Sequence, residues 1–215
     1  MIKKGYKKLN YLNGFVVVGK LIKRGAEAEI LETSLLGKKS IEKHRLSKGY
    51  RCKKLDERIR LERTKSEAGL LHRAKGLGIR TPAIYSIDLK KKSIFMELIK
   101  GKKARDAIKG NPALCREIGK KIALLHSSSL IHGDLTTDNI LVEGNSVVFI
   151  DFGLGFYSSK EEDKAVDLLN LKKTLLAGDP TLTGEWNEIM KGYTATSDKS
   201  IGKKISEVEK RARYA

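Results

Sequence analysis

Residues 132–153 constrain this chain more than any other segment. They contain Asp134, then Asn139, and end in an Asp-Phe-Gly tripeptide that begins at Asp151. Residues 140–150 form an apolar run, a glycine-containing turn and a second apolar run, a pattern that predicts a β-hairpin. Such a hairpin would bring Asn139 and Asp151 to the same end.

These three side chains suit phosphoryl transfer from ATP with Mg²⁺. Asp134 can accept a hydroxyl proton, while Asn139 and Asp151 can bind the magnesium that accompanies the nucleotide phosphates. A hairpin whose polar flanks are only caps and turns is the plainer interpretation, but it does not require the His-x-Asp element that begins at His132. The sequence therefore predicts Asp134 as a catalytic residue, with Asn139 and Asp151 as metal ligands.

Lys43 and Glu67 form a second candidate pair. Lys43 ends a predicted strand, where its ammonium group could reach the α and β phosphates of ATP and assist catalysis. Glu67 lies on a predicted long helix with apolar residues three, four and seven positions further on, so its carboxylate falls on the inward face. Because a buried charge is costly unless it is paired, we expect an ion pair between the two. The alternative is that Glu67 sits at the edge of this face and reaches solvent.

Two further segments are candidates for nucleotide contact. The turn in residues 22–30 has one glycine and small neighbours, so its backbone amides could approach phosphates, although an ordinary hairpin turn explains it equally well. The strand ending near residue 99 would hold adenine through backbone groups, with a methionine packed behind the ring. The candidate nucleotide-binding residues in these segments are Ile22, Gly25, Ala26, Glu27, Ala28, Ile30, Met96, Glu97 and Ile99.

The order of elements predicts an α+β fold with two lobes. Residues 1–99 alternate short apolar runs with basic turns, which indicates strands, and one long helix interrupts them at residues 55–75. Residues 100–209 are mainly helical, beginning with a helix that Asn111 caps. The expected strands cover residues 15–18, 29–36, 40–43, 83–87 and 93–98, and the later helices cover residues 161–176, 184–193 and 201–212. We expect a small antiparallel β lobe with one long helix, a short helical lobe and a basic tail at residues 210–215.

Lys and Arg outnumber Asp and Glu by 44 to 26, for a formal net charge of +18. Such an excess favours polyanions, above all nucleic acid, through phosphate contacts and counterion release. A cationic surface that only attracts acidic proteins is the alternative. Residues 48–65 form the densest basic region.

The C-terminal tail is a further candidate site, because an aromatic residue among cations suits both RNA stacking and insertion into an acidic cleft of a partner. A frayed, solvated end is the alternative. The candidate residues are Lys210, Arg211, Arg213 and Tyr214.

The sequence also indicates a cytoplasmic protein without a membrane partner. No apolar stretch suited to a signal peptide follows residues 1–8, and no later stretch approaches membrane-spanning length. Cys52 and Cys115 are isolated, which argues against a disulfide framework or a zinc site.

Together these segments resemble the protein kinase-like superfamily and, more narrowly, the small atypical kinases of the KEOPS (EKC) complex. This group, also called the PRPK family, is related to the RIO kinases. The resemblance covers nearly the whole chain and includes Lys48-Gly49-Tyr50-Arg51, although Ser47 stands where the family usually has Pro. The matching segments are residues 25–28, 48–51, 55–58, 63–64, 67–68, 131–137, 150–155, 162–168 and 210–214.

This resemblance implies phosphorylation of Ser or Thr, or ATP hydrolysis, inside an assembly that installs threonylcarbamoyl on adenosine of tRNA. It also implies docking of the subunit against the carbamoyltransferase subunit of KEOPS, with the basic tail used there. Two other classes remain as alternatives. One is an ATP-binding regulatory scaffold with negligible catalysis, against which the complete set of catalytic residues argues. The other is a small-molecule phosphotransferase, which needs a larger helical lobe than the chain after Gly153 provides.

Two departures from regulated kinases bear on mechanism. Those enzymes carry an Arg before the catalytic Asp to bind a phosphorylated activation loop, whereas this chain has Gly133. Only residues 154–166 separate Gly153 from Asp167, and no Ala-Pro-Glu follows. We therefore expect neither control by loop phosphorylation nor a peptide platform. By the family pattern, Asp167 would brace the catalytic loop.

Overall fold

The structure, a computed structural model, describes residues 7–12, 15–197 and 200–211, with side chains from residue 19 onward. The chain divides into two compact units. The first comprises Met1–His72 and Pro82–Ile99, and the second comprises Arg73–Thr81 and Lys100–Ala215. Residues 73–81 thus differ from the expected assignment to the first lobe. Arg80 explains the difference, because it forms a β-bridge with Val148 and its carbonyl oxygen accepts a hydrogen bond from the Phe149 N–H at 2.9 Å.

A six-stranded antiparallel sheet and a long helix form the first unit. The strands lie in the order β1-β2-β3-β4-β6-β5. Their bounds are β1 (Lys7–Leu12), β2 (Phe15–Arg24), β3 (Ala28–Leu35), β4 (Lys38–Arg45), β5 (Ile84–Asp88) and β6 (Ser93–Glu97). The sequence pattern does not predict β1, because two lysines begin it and an asparagine interrupts its short apolar run. The strand is identified by its antiparallel pairing with β2.

Helix α1 (Lys53–Gly76) supplies the other layer of the first unit with its residues up to His72. Ala68 of this helix packs against Ile94 and Met96 of β6. Leu71 and Glu67 are also buried, so the predicted inward face is confirmed, including its carboxylate.

The second unit is mainly helical, with short strands between the helices. Its helices are α2 (Ala104–Ala107), α3 (Pro112–Ser127), α4 (Glu161–Gly178), α5 (Thr183–Thr194) and α6 (Ile201–Arg211), with a 3₁₀ turn at Pro180–Leu182. Its strands are β7 (Lys102–Lys103), β8 (Leu130–Ile131), β9 (Ile140–Glu143), β10 (Ser146–Phe149) and β11 (Phe156–Tyr157). They form a three-stranded sheet in the order β10-β9-β7 and a two-stranded sheet of β11 and β8.

Two local predictions for this unit are confirmed. The Asn111 side chain accepts a hydrogen bond from the Leu114 N–H at 3.1 Å and so caps α3, whose Ile118 and Ile122 are buried. Strands β9 and β10 pair antiparallel as the predicted hairpin.

The helix predicted for residues 201–212 is confirmed, and it includes the first two residues of the expected basic tail at residues 210–215. Lys210 and Arg211 belong to the last turn of α6, and Arg211 lies 2.9 Å from Glu162 of α4. Helical hydrogen bonding therefore continues through these two residues. Arg213 and Tyr214 lie outside the described residues. None of the described helices is long and apolar enough to cross a membrane.

Candidate active site

Glu67 is the centre of a buried ionic cluster in the first unit. The Lys43 Nζ lies 2.6 Å from one carboxylate oxygen, which confirms the predicted ion pair. The Arg45 Nη2 lies 2.5 Å from the other oxygen, and this second partner is not predicted from the sequence. The signal that could have found it is the strand period, since residues two apart on β4 face the same side of the sheet. The nucleotide contact of Lys43 stays a prediction.

The turn at residues 25–28 is fixed from two directions. Its own hydrogen bond runs from the Gly25 N–H to the Ala28 carbonyl oxygen at 2.9 Å. The Glu27 carboxylate accepts a hydrogen bond from Arg63 of α1 at 2.7 Å, and the Lys48 ammonium donates to the Ala26 carbonyl oxygen. The Glu27 side chain thus anchors the turn to α1. Contact between the Glu27 backbone and a nucleotide stays a prediction.

The other predicted nucleotide residues of the first unit occupy the expected strands. Met96 is buried against Ala68, and the Glu97 N–H donates to the Ala83 carbonyl oxygen at 2.8 Å, which commits that donor to protein structure. Ile22 is exposed, while Ile30 and Ile99 are half-buried. Adenine contact at these residues stays a prediction.

In the second unit, Asn139 holds Asp134. The Asn139 amide nitrogen donates to the Asp134 carboxylate and to the Asp134 carbonyl oxygen, both at 2.9 Å. The amide oxygen is therefore the Asn139 atom suited to a metal. The Ile150 N–H donates to the Asn139 carbonyl oxygen at 3.0 Å, so the hairpin brings Asn139 beside the residue that precedes Asp151.

Asp151 adopts a left-handed backbone conformation, with φ of +62°, and its carboxylate accepts a hydrogen bond from the Gly153 N–H at 3.2 Å. Strained backbone of this kind clusters at functional sites. Amide and carboxylate oxygens suit Mg²⁺, which is usually held by one or two carboxylates with water and substrate phosphates. Within the described ranges no three His, Cys, Asp or Glu residues converge to hold a metal. The donor set thus fits a magnesium that arrives with a nucleotide.

Asp167, at the second turn of α4, braces the loop that carries Asp134. Its carboxylate accepts hydrogen bonds from the backbone N–H groups of His132 at 2.7 Å and Gly133 at 2.9 Å, as the family pattern predicts. His126 is a third partner, at 3.3 Å, and its other ring nitrogen lies 3.0 Å from the Tyr193 hydroxyl. Burial raises the pKa of the Tyr193 hydroxyl. His126 and Tyr193 escape sequence reasoning because α3 and α5 meet only in the folded unit.

Gly133 is required by the loop geometry. Its φ is +78°, and a Cβ atom there would overlap the carbonyl oxygen of Leu154. An Arg side chain at this position would collide with the same carbonyl group, which explains sterically why the regulatory Arg of other kinases is absent here. Residues 154–160 lead directly into α4, and β11 within them pairs with β8.

Two neighbouring groups complete the loop. The His132 ring lies on Phe152 with centroids 4.5 Å apart, its Nε2 is 3.1 Å from the Ile150 carbonyl oxygen, and burial lowers its pKa. Asp138 is bound by Lys103 at 3.0 Å and by Arg105. Burial opposes ionisation of Asp138, but these two cations prevail and lower its pKa.

An antiparallel sheet with a buried Lys–Glu pair and a braced Asp–Asn loop before Asp-Phe-Gly defines a protein kinase-like fold. The Rio2 kinase of Chaetomium thermophilum, solved as an ADP/Mg²⁺-phosphoaspartate complex, has this fold, with a TM-score of 0.60 and 17% identity over 93% of this chain and 72% of that one.

This chain belongs to the RIO domain family, whose model matches residues 29–170. A relative in Methanobrevibacter smithii, called "Probable bifunctional tRNA threonylcarbamoyladenosine biosynthesis protein", is 46% identical over 90% of this chain. A relative of the same name in Methanothermobacter thermautotrophicus is 43% identical over 90% of it. The chain spans 36% of the length of each of these two relatives.

Proposed function

We propose that this chain is an ATP-dependent Ser/Thr protein kinase or ATPase that supports threonylcarbamoyl modification of adenosine in tRNA, as part of the KEOPS complex. The observation that carries the catalytic proposal is the double hydrogen bond from Asn139 to Asp134 in a loop braced by Asp167. The relatives' shared name supports the tRNA proposal.

Each unit would contribute its own groups. In the first, Lys43 and the turn at residues 25–28 would bind nucleotide phosphates. In the second, Asp134 would orient a Ser or Thr hydroxyl, or a water, and accept its proton. Asn139 and Asp151 would hold magnesium, and the bound ion would supply neutralisation of phosphate charge.

The partners in this proposal are tRNA, through the basic surface, and the carbamoyltransferase subunit of KEOPS. The relatives are described as bifunctional and are longer than the match, which supports a partner with a second activity. We also propose a cytoplasmic location, in keeping with a tRNA substrate.

The catalytic part is tested by ATP hydrolysis and autophosphorylation of Asp134→Ala. Loss of a general base should slow turnover about 10²- to 10⁴-fold. Asp106→Ala, at an exposed carboxylate of α2, is the matched control and should keep the wild-type rate. Unchanged rates in Asp134→Ala would contradict the proposal. ATP binding without any turnover in the wild type would instead favour a regulatory scaffold.

The tRNA part is tested by ATP turnover of the purified chain with added tRNA and carbamoyltransferase subunit. Stimulation that weakens steeply with salt would connect the net charge to RNA. Because α6 continues through Arg211, the tail is tested by deleting residues 212–215. That deletion should weaken tRNA-dependent or partner-dependent activity and leave ATP affinity unchanged; full activity would remove the tail from the proposal.

A further inference from the structure

Residues 46–52 connect β4 to α1 and are called the 46–52 loop below. They contact the turn at residues 25–28, where Lys48 donates to the Ala26 carbonyl oxygen, but the exposed ring of Tyr50 takes no part in that contact. Asp56, in the first turn of α1, holds this loop. Its carboxylate accepts hydrogen bonds from the Ser47 hydroxyl at 2.9 Å and the Lys48 N–H at 3.1 Å, and also from Arg60 at 2.7 Å. Burial opposes ionisation of Asp56, but these hydrogen bonds outweigh it and lower its pKa. A buried, ionised carboxylate with three donors makes the loop a preformed structure.

Tyr50 projects from this preformed loop, 76% exposed. The Arg51 guanidinium lies 5.2 Å from the centroid of the Tyr50 ring. Arg51 is itself held between Asp56 at 3.8 Å and Glu27 at 3.9 Å. One face of the aromatic ring is thus backed by a fixed cation, and its exposure leaves the ring accessible to a ligand. Little ordering would be needed for a flat group to stack there.

Helix α1, which follows Tyr50 in the chain, carries several exposed positive charges. The carboxylates in residues 53–65 are already bound: Asp56 to Arg60, Glu57 to Lys92 and Glu62 to Arg58. Three exposed lysines of the same region have no carboxylate within 4 Å in the part of the chain that the structure describes. They are Lys53, Lys54 and Lys65.

We propose that the 46–52 loop binds an unpaired region of RNA, with Tyr50 as the base-stacking residue and the exposed lysines of α1 as phosphate contacts. The proposal rests on the proposed function and names the surface through which that function would meet RNA. Aromatic rings among cations are the usual means of holding single-stranded nucleic acid. A protein partner would call for a more apolar surround, because the centres of such interfaces are depleted in Lys.

The test measures binding of fluorescein-labelled single-stranded oligoadenylate, and of a tRNA transcript, by fluorescence anisotropy. Tyr50→Ala should weaken binding of the oligoadenylate about 5- to 150-fold, the loss expected for one stacked base. Tyr50→Trp and Tyr50→Phe should retain affinity, since stacking needs only the ring. Tyr157→Ala, at a tyrosine of β11 that is 60% exposed, is the matched control and should bind as the wild type does.

Salt dependence separates the two kinds of contact. Tyr50→Ala should keep the wild-type slope of affinity against salt, because no phosphate contact is lost. Lys54→Gln should reduce the slope. Thermal melting of each variant checks folding, which a change at an exposed ring should not disturb.

The proposal is overturned if the wild type does not bind the oligoadenylate, if Tyr50→Ala binds it as well as the wild type, or if Tyr50→Phe is as weak as Tyr50→Ala. If Tyr50→Ala lost affinity for polyglutamate but kept its affinity for RNA, the loop would bind an acidic protein partner, and the proposal would also be overturned. ATP turnover is measured on the same preparations. If the enzyme hydrolyses ATP but Tyr50→Ala does not change RNA affinity, the RNA-binding surface is refuted and the proposed function is not. If the wild type does not hydrolyse ATP, the proposed function is refuted, and the result of the RNA-binding measurement remains valid.

Discussion

Each unit of this protein organises its candidate functional residues around one carboxylate that is 1% exposed, but the two carboxylates have opposite kinds of partner. Glu67 in the first unit is bound by two cations, Lys43 and Arg45. Asp167 in the second is bound by two backbone N–H groups and a histidine ring. The first arrangement positions charged side chains, and the second positions the backbone of a loop.

The difference has an energetic consequence. Neutralising Glu67 leaves two buried cations without their shared carboxylate, which is costly because buried charges need partners. Neutralising Asp167 leaves buried N–H groups short of an acceptor, which costs less for each group. We therefore expect the first unit to depend on the charge of its carboxylate, and the second on the number of hydrogen bonds that its carboxylate accepts.

Glu67→Gln should have the largest effect. Removing one partner of a buried ionic cluster is expected to lower the free energy of unfolding by about 3 to 5 kcal/mol, as measured by urea denaturation. Glu62→Gln is the matched control on the same helix, because its side chain is 68% exposed, and it should change stability by less than about 0.5 kcal/mol. A small effect at Glu67 would mean that Lys43 and Arg45 do not depend on its charge.

Asp167→Asn should have the second-largest effect on stability. An amide offers only one acceptor oxygen to the two N–H groups, and we expect a loss of about 2 to 4 kcal/mol in the free energy of unfolding. Turnover should fall as well, because the loop carrying Asp134 loses its brace. Glu162→Gln, at a half-exposed position of α4, provides the comparison. If Asp167→Asn were as stable as the wild type, the contrast between the two carboxylates would disappear.

Gly133→Ala tests the backbone of the braced loop. Gly144 makes a good reference, since both glycines have positive φ but only Gly133 is crowded, by Leu154. Overpacking should make Gly133→Ala less stable than Gly144→Ala by about 2 kcal/mol. Equal thermal stabilities for the two variants would show that the loop yields freely at this contact.

The smallest expected effect is a pH dependence from His132. Its pKa is lowered from 6.5 by burial, so the unfolded chain binds this proton at a higher pH than the folded chain. Stability should therefore fall as pH decreases through 6.5, by roughly 0.5 to 1 kcal/mol between pH 7 and pH 6. His132→Phe should flatten this part of a urea-denaturation series, while His72→Asn, at an exposed histidine, should not. If the pH dependence of stability were the same in His132→Phe as in the wild type, His132 would not be its source.

Local spacing predicts much of the candidate site, for a physical reason. The β9–β10 hairpin follows from two apolar runs and a glycine turn, and the inward position of Glu67 follows from helical periodicity. A buried carboxylate then needs a cation, which is why its pairing with Lys43 can be predicted. In each case the deciding contacts are close in sequence or required by charge balance.

Other features depend on residues that meet only in the folded chain. Arg45 becomes a partner of Glu67 because β4 and α1 pack together in the folded unit. His126 and Tyr193 reach Asp167 from different helices. The assignment of residues 73–81 to the second unit likewise depends on the β-bridge between Arg80 and Val148. No local sequence pattern predicts this bridge.

The sequence by itself determined the class of fold, the spacing of Asp134, Asn139 and Asp151, and the strongly basic character, because these depend on residue type and short-range periodicity. Only the tertiary structure decided that Glu67 serves two cations, that Gly133 has no room for a side chain, and that Tyr50 stands exposed on a loop held by Asp56. Those properties come from distances between segments far apart in sequence, which packing and hydrogen bonding establish only when the chain is folded.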